Sequence, residues 1–105
     1  MDYKVIWSDD ALRDVEDIAN YIEKDSHYYA SAVVTKIIDI TRILSTFPFA
    51  GRVVPEESIE SVREHFVYRY RVIYEVTDNN IVYVLAVVPG ERLLQPILNQ
   101  RKLEG

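Results

Sequence analysis

Tyr70-Arg71-Val72-Ile73-Tyr74-Glu75-Val76-Thr77-Asp78-Asn79-Asn80-Ile81-Val82-Tyr83-Val84-Leu85-Ala86-Val87-Val88 is the stretch that decides the fold. Its first part places Tyr70, Val72, Tyr74 and Val76 in alternation with Arg71, Ile73 and Glu75. A period of two sends alternate side chains to opposite faces and predicts a strand. Thr77-Asp78-Asn79-Asn80 follows as a hairpin turn, because Asp and Asn tolerate the left-handed backbone that such turns need. From Ile81 to Val88 almost every residue is apolar, which predicts a central strand buried on both faces. Pro89-Gly90 ends it.

Working outward, Val62, Glu64 and Phe66 alternate more weakly and predict a strand before the hairpin. Pro48-Phe49-Ala50-Gly51-Arg52-Val53-Val54-Pro55-Glu56-Glu57 has two prolines and a glycine, and reads as an ordered loop. Upstream, Ala30, Val33, Val34, Ile37, Ile38, Ile40, Ile43 and Leu44 lie on a helix from about Tyr28 to Phe47, stopped by Pro48. They cover an arc of roughly 200°, twice the roughly 100° stripe of a helix buried on one side. The surplus has to meet either another helix or another chain. Asp25-Ser26-His27 is a short break with capping residues. Before it, Ala11, Leu12, Val15, Ile18, Ala19 and Ile22 recur at helical spacing over roughly residues 9–24. Ser8 stands at the N-cap position, and Asp9 and Asp10 favour the positive end of the helix dipole. Tyr3, Val5 and Trp7 alternate as a first strand. Downstream, Leu93 to Leu98 is a short segment broken by Pro96, and residues 99–105 form a polar, loose tail. The expected fold is α+β, in the order β-α-α-β-β-β. A helical hairpin lies on one face of a small, mostly antiparallel four-stranded sheet whose other face is partly open. Residues 1–98 form a single domain.

Composition narrows the function. The 105 residues include no cysteine, which excludes disulfides, thiol catalysis and Cys-ligated zinc. No apolar run approaches the length of a membrane span, and Met1-Asp2-Tyr3-Lys4 lacks the order of a secretion signal, so a cytoplasmic protein is expected. A net charge of −5 argues against a general polyanion binder. The charge is uneven, however. Residues 1–50 hold five basic and nine acidic groups, residues 51–105 seven and eight. Arg52, Arg63, Arg69, Arg71, Arg92 and Arg101 all fall in the second half, so a local arginine surface can exist on an acidic chain.

Five segments, taken in order, resemble the RelE/ParE toxin superfamily of type II toxin–antitoxin systems over nearly the whole chain. They are Ala11-Leu12-Arg13-Asp14-Val15-Glu16-Asp17-Ile18 with Tyr21-Ile22; Phe47 to Glu56; Val62-Arg63-Glu64; Tyr70 to Val76; and Val87-Val88-Pro89-Gly90-Glu91-Arg92. The succession from Pro-x-x-Gly-Arg to Tyr-Arg-x-x-Tyr is the most specific part, and the details resemble the ParE-like branch more closely. The resemblance implies a growth-inhibiting toxin of the plasmid-stabilisation type, silenced by a cognate antitoxin, as a homodimer or a toxin–antitoxin hetero-oligomer. It implies no cofactor, metal or membrane. ParE-like toxins poison DNA gyrase by protein contact, whereas RelE-like toxins cut mRNA in the ribosome.

The residues separate these two readings in part. Cutting RNA through its 2′-hydroxyl needs a proton acceptor, a proton donor and positive charge on the phosphate. Arg71 and Arg92 match family arginines that hold phosphate. Most of the remaining parts have no counterpart: no Lys lies between residues 36 and 102, no Tyr or His follows Tyr83, and Pro89 stands where many relatives have His; His65 and Glu64 remain, but nothing in the sequence brings them to Arg71 and Arg92. Arginine keeps its proton too firmly to replace them as an acid. Arg52, Arg63, Arg69, Arg71 and Arg92 are therefore candidate target contacts for a ParE-like gyrase inhibitor. The endoribonuclease, and a toxin fold reduced to partner binding, are the alternatives. Plain structural roles compete with these: cross-strand ion pairs for Arg69, Arg71 and Glu75, a loop brace for Arg52, a strand-edge pair for Arg63 and Glu64, a capping role for His27, and core packing for Trp7. Val34, Ile38 and Ile43, on the wide apolar arc, are the candidate antitoxin contacts.

Overall fold

Ser8 ends the first strand and begins the first helix. Its extended backbone turns the chain, and its hydroxyl accepts the Ala11 N–H at 3.0 Å. The computed structural model describes residues 2–92 and residue 101. Within it, β1 (Lys4–Trp7) leads into α1 (Asp9–Glu23), and α2 (His27–Thr46) follows across a tight link. Ser26 caps α2 by accepting the Tyr29 N–H at 3.0 Å. His27 opens α2 rather than capping it, and its ring pairs with Glu23 across the link at 3.1 Å.

Among the described residues the sheet has five strands: β1, β2 (Arg52–Val53), β3 (Val62–Val67), β4 (Tyr70–Val76) and β5 (Ile81–Pro89). Their spatial order is β1-β5-β4-β3-β2. Only β1 runs parallel to its neighbour, so the mostly antiparallel expectation holds. The expected count of four is corrected to five. β2 lies inside the proline-bounded loop, and two residues are too few for alternation to show. β5 lies between β1 and β4, as its apolar run predicts.

A bulge sets which face each residue of β5 serves. Ile73 pairs with Ala86 and Tyr74 with Val84, leaving Leu85 as an extra residue. Val84 and Val87 therefore join the core beneath the helices, with Ala11, Ile18, Val33 and Ile37. Ala86 and Val88 join a second core on the other face, with Val54, Val62 and Ile73. That face was expected to lie partly open. The chain after β2 closes over it instead, and Val54 is fully buried there.

β1 stops opposite Val84, so among the described residues no strand pairs with the last residues of β5 on that side. Side chains replace it. Ser8 donates to the Leu85 carbonyl at 3.3 Å, and Asp14 on α1 accepts the Val87 N–H at 2.9 Å. Asp14 also holds Arg101 at 2.6 Å. One residue of the tail expected to be loose is thus tied to α1. The segment Leu93–Leu98 and the rest of the tail lie outside the described residues.

Candidate functional site

The arginines of the second half do not form one open surface. Arg71 points from β4 into the face that the β2–β3 connection covers, and its side chain is only 5% exposed. Two carboxylates meet it there. Glu56, from the connection, takes a two-pronged grip on the guanidinium, at 3.0 Å from Nη1 and 2.9 Å from Nη2. Glu64, on β3 and fully buried, accepts from Nε at 2.7 Å and also from Nη2. Its other oxygen accepts from Arg52 Nε at 2.5 Å. Two guanidinium groups and two carboxylates therefore neutralise one another. The hydrogen bond from Arg71, opposed by burial, holds the Glu56 carboxyl below its ordinary value. The same bond from Glu56 holds Arg71 above its own. A carboxylate bound in this way is a poorer proton acceptor, and an arginine so occupied has no free prong for a phosphate.

The other candidates sit elsewhere. Arg52 braces the loop by its pair with Glu64, and its guanidinium lies 5.6 Å from the Phe66 ring centre. Arg63 does not pair with its neighbour Glu64. It reaches the Gly51 carbonyl at 3.0 Å and Glu60 at 2.6 Å, and lies 4.9 Å from the centre of the Phe49 ring. Arg69, in the β3–β4 turn, and Arg92, just past β5, line a cleft against α1 with Tyr21, Tyr70 and Asp17. Arg71 does not line that cleft. The structure therefore does not bring Arg71 and Arg92, the two proposed phosphate holders, to one concavity. Glu75 does not enter the Arg71 cluster; the partner of Arg71 on the neighbouring strand is Glu64. His65 lies half-buried on β3, its ring against the Phe66 carbonyl. Trp7 packs partly buried against the main core.

The wide apolar arc of α2 is only partly filled. Ala30, Val33, Ile37, Ile40 and Leu44 are buried, while Ile38 stays 40% and Ile43 47% exposed. Val34 lines a shallow groove between the two helices, and Ile38 lines another between α2 and β1. The three antitoxin candidates thus spread along α2 rather than meeting in one groove.

Glu56 was not singled out in the sequence, and Glu64 was read there without its pairing to Arg71, although the two decide what Arg71 can do. The available signal was the excess of acidic residues around Arg52 and Arg63, which carries no information about pairing. Tyr74 was also missed as a polar group. Its buried hydroxyl accepts the Gly51 N–H at 2.9 Å, and burial pushes its phenol upward.

The family model for ParE toxins of type II toxin–antitoxin systems, parDE, matches residues 5–94. The chain belongs to this family. Solved structures agree on the fold. The chromosomal ParDE toxin–antitoxin system of P. aeruginosa is similar at a TM-score of 0.69 and 17% identity, over 85% of this chain and 97% of that one. The free, mutant toxin RelE of E. coli gives 0.67 and 15%, over 96% and 95%. The toxin–antitoxin complex RelBE2 of Mycobacterium tuberculosis gives 0.62 and 20%, over 85% and 99%. No curated protein sequence matches. This ParE-family chain is thus a type II toxin by family, with the RelE/ParE arrangement of two helices on a mixed sheet. Among its described residues no helix is long and apolar enough to cross a membrane.

Proposed function

We propose that this ParE-family protein is held silent by a cognate antitoxin in the cytoplasm and that, once free, it inhibits DNA gyrase by protein contact. One observation carries the choice over RNA cleavage. Arg71, the strand arginine that a nuclease would turn toward phosphate, is buried and saturated by Glu56 and Glu64. The sequence adds that neither a lysine nor a tyrosine stands where RelE-like catalysis would need one. Exposed Ile38 and Ile43 support an antitoxin segment on α2, and two of the similar structures are a toxin–antitoxin system and a toxin–antitoxin complex.

The test is induction of the chain alone in bacteria, followed by plasmid supercoiling and transcript integrity. Relaxed or broken DNA with intact mRNA is the expected result. Codon-phased mRNA cuts that disappear in Arg71→Ala and Arg92→Ala would overturn it in favour of the ribosome-dependent endoribonuclease. An absence of growth arrest would leave the fold as a partner-binding module only.

A further inference from the structure

From Pro55 to Glu60 no residue is buried, although the chain on either side is anchored by Val54 and Val62, both fully buried. The segment forms no strand. Its backbone bonds close on its own base. The Glu57 and Ser58 N–H groups donate to the Val54 carbonyl at 3.1 and 2.9 Å, and the Ile59 carbonyl accepts the Val62 N–H at 3.0 Å. The Ser58 hydroxyl donates to the Pro55 carbonyl at 3.1 Å. Ser58 turns the chain with a φ of 53°, in the left-handed region where a residue with a Cβ is strained. A segment built in this way gains little apolar burial from lying on the sheet. Segments of that kind open locally at far less cost than global unfolding.

Charge draws the segment onto β4. Glu56, with a side chain 35% exposed, grips both outer nitrogens of Arg71, whose own side chain is 5% exposed. The same guanidinium is also held from the sheet. Glu64 accepts from its Nε at 2.7 Å, and the Gly90 carbonyl lies 3.4 Å from Nη1. Arg71 therefore keeps its orientation when Glu56 is lifted away. Arg52 stays bonded to Glu64 in either case. Two arginines and two glutamates cancel while Glu56 is in place, and one positive charge is left over once it has gone.

We infer that residues 55–60 are a lid latched by Glu56 on Arg71, which opens as a local unit while the sheet and its cores stay folded. Val54 and Val62 stay buried as its two fixed ends, and the left-handed strain at Ser58 is relieved in the open form. Opening uncovers the outer prongs of a guanidinium that Glu64 keeps aimed, and changes the charge of this face by one unit. The closed lid is the resting form, in which Arg71 is silent. The inference concerns the chain itself and holds whichever target the toxin acts on.

Phenylglyoxal adds to the two outer nitrogens of an arginine that it can reach, and so reads the open lid. Its rates at Arg71 and at Arg13 are followed by peptide mass spectrometry in the folded, full chain, with Arg13, 67% exposed, as the reference for an open site. Amide exchange at Val72, fully buried on β4, reports global unfolding. In wild type Arg71 should react more slowly than Arg13, at a rate that does not change with urea below the unfolding transition, because local opening exposes little new surface. Val72 exchange should climb with urea over the same range. Glu56→Ala should raise the Arg71 rate at least about tenfold relative to Arg13, as for loss of a charged, two-pronged bond. Glu60→Ala, which removes an exposed acid of the same segment paired with Arg63, should leave the Arg71 rate as in wild type. An Arg71 rate that climbs with urea in step with Val72 exchange overturns the inference, since only global unfolding would then uncover the guanidinium. So does an unchanged rate in Glu56→Ala, an equal rise in Glu60→Ala, or a wild-type rate equal to that of Arg13. If Glu56→Ala does not fold, the urea series on wild type still decides between local and global opening.

Discussion

Replacing Glu64 by glutamine removes one charge from a buried polar cluster. The carboxylate has no solvent exposure, and it accepts from Arg52 Nε at 2.5 Å and from Arg71 Nε at 2.7 Å. Taking away one member of a buried ion pair costs about 3–5 kcal/mol, because the remaining charge keeps its desolvation penalty without compensation. Two features put this case at the low end. Glutamine retains one acceptor oxygen, and Glu56 still grips Arg71. The expected loss is therefore about 3 kcal/mol, against a total of roughly 5–15 kcal/mol for a domain of this size. At about 4 °C per kcal/mol, the melting temperature should fall by about 12 °C. Urea unfolding followed by circular dichroism measures both values, and an unchanged m-value would confirm that the native state is at issue. A double variant, Glu64→Leu with Arg71→Met, should recover most of the loss, since apolar groups of similar volume can replace a buried pair without penalty. A Glu64→Gln midpoint within about 1 kcal/mol of wild type would refute the reasoning, as the cluster would then be hydrated in solution.

Gly51→Ala should prevent folding or cost more than about 3 kcal/mol by overpacking, because an added Cβ would lie 2.3 Å from the Glu64 carbonyl oxygen, a backbone atom; unfolding curves check this. Tyr74→Phe should cost about 1–2 kcal/mol by leaving the Gly51 N–H without its acceptor, with the fold unchanged by circular dichroism. Asp14→Ala removes the acceptor of the Val87 N–H together with the anchor of Arg101, and should cost about 2 kcal/mol and speed amide exchange at Val87. Glu56 contributes stability that is fully present above its unfolded value near 4.5. Because its folded value is lower, that contribution is lost as pH falls below about 4.5 through the folded value. Glu56→Gln should therefore be less stable than wild type at pH 7, and the difference should shrink in acid titrations of stability.

The helical hairpin and the antiparallel core of the sheet were legible because each rests on a repeat: period two in Tyr70–Val76, an unbroken apolar run in Ile81–Val88, and helical spacing from Ala11 to Ile22. The excess width of the α2 arc left open whether its surplus meets another helix or another chain, and the structure leaves Ile38 and Ile43 exposed. What was not legible arises from contacts between distant residues. β2 is too short to show alternation, and the Leu85 bulge moves side chains to the other face without any glycine to mark it. An arginine on an alternating strand looks the same in sequence whether it grips phosphate or a carboxylate from its own chain. The path of the β2–β3 connection decides between the two, since it carries Glu56 back over β4.

That difference bears on how one fold can serve unlike targets. The chain shares its architecture with RelE at a TM-score of 0.67, yet identity is only 15%, so the backbone is kept while the polar groups on it are free to change. In this chain the strand arginine points inward and is neutralised, and Glu56 and Glu64 tie it to the loop and the neighbouring strand. A nuclease needs that arginine unsatisfied until substrate arrives, which leaves a buried cation without a partner in the free enzyme and lowers its stability. A toxin that acts by surface contact has no such need, and the same residue can bind the loop to the sheet.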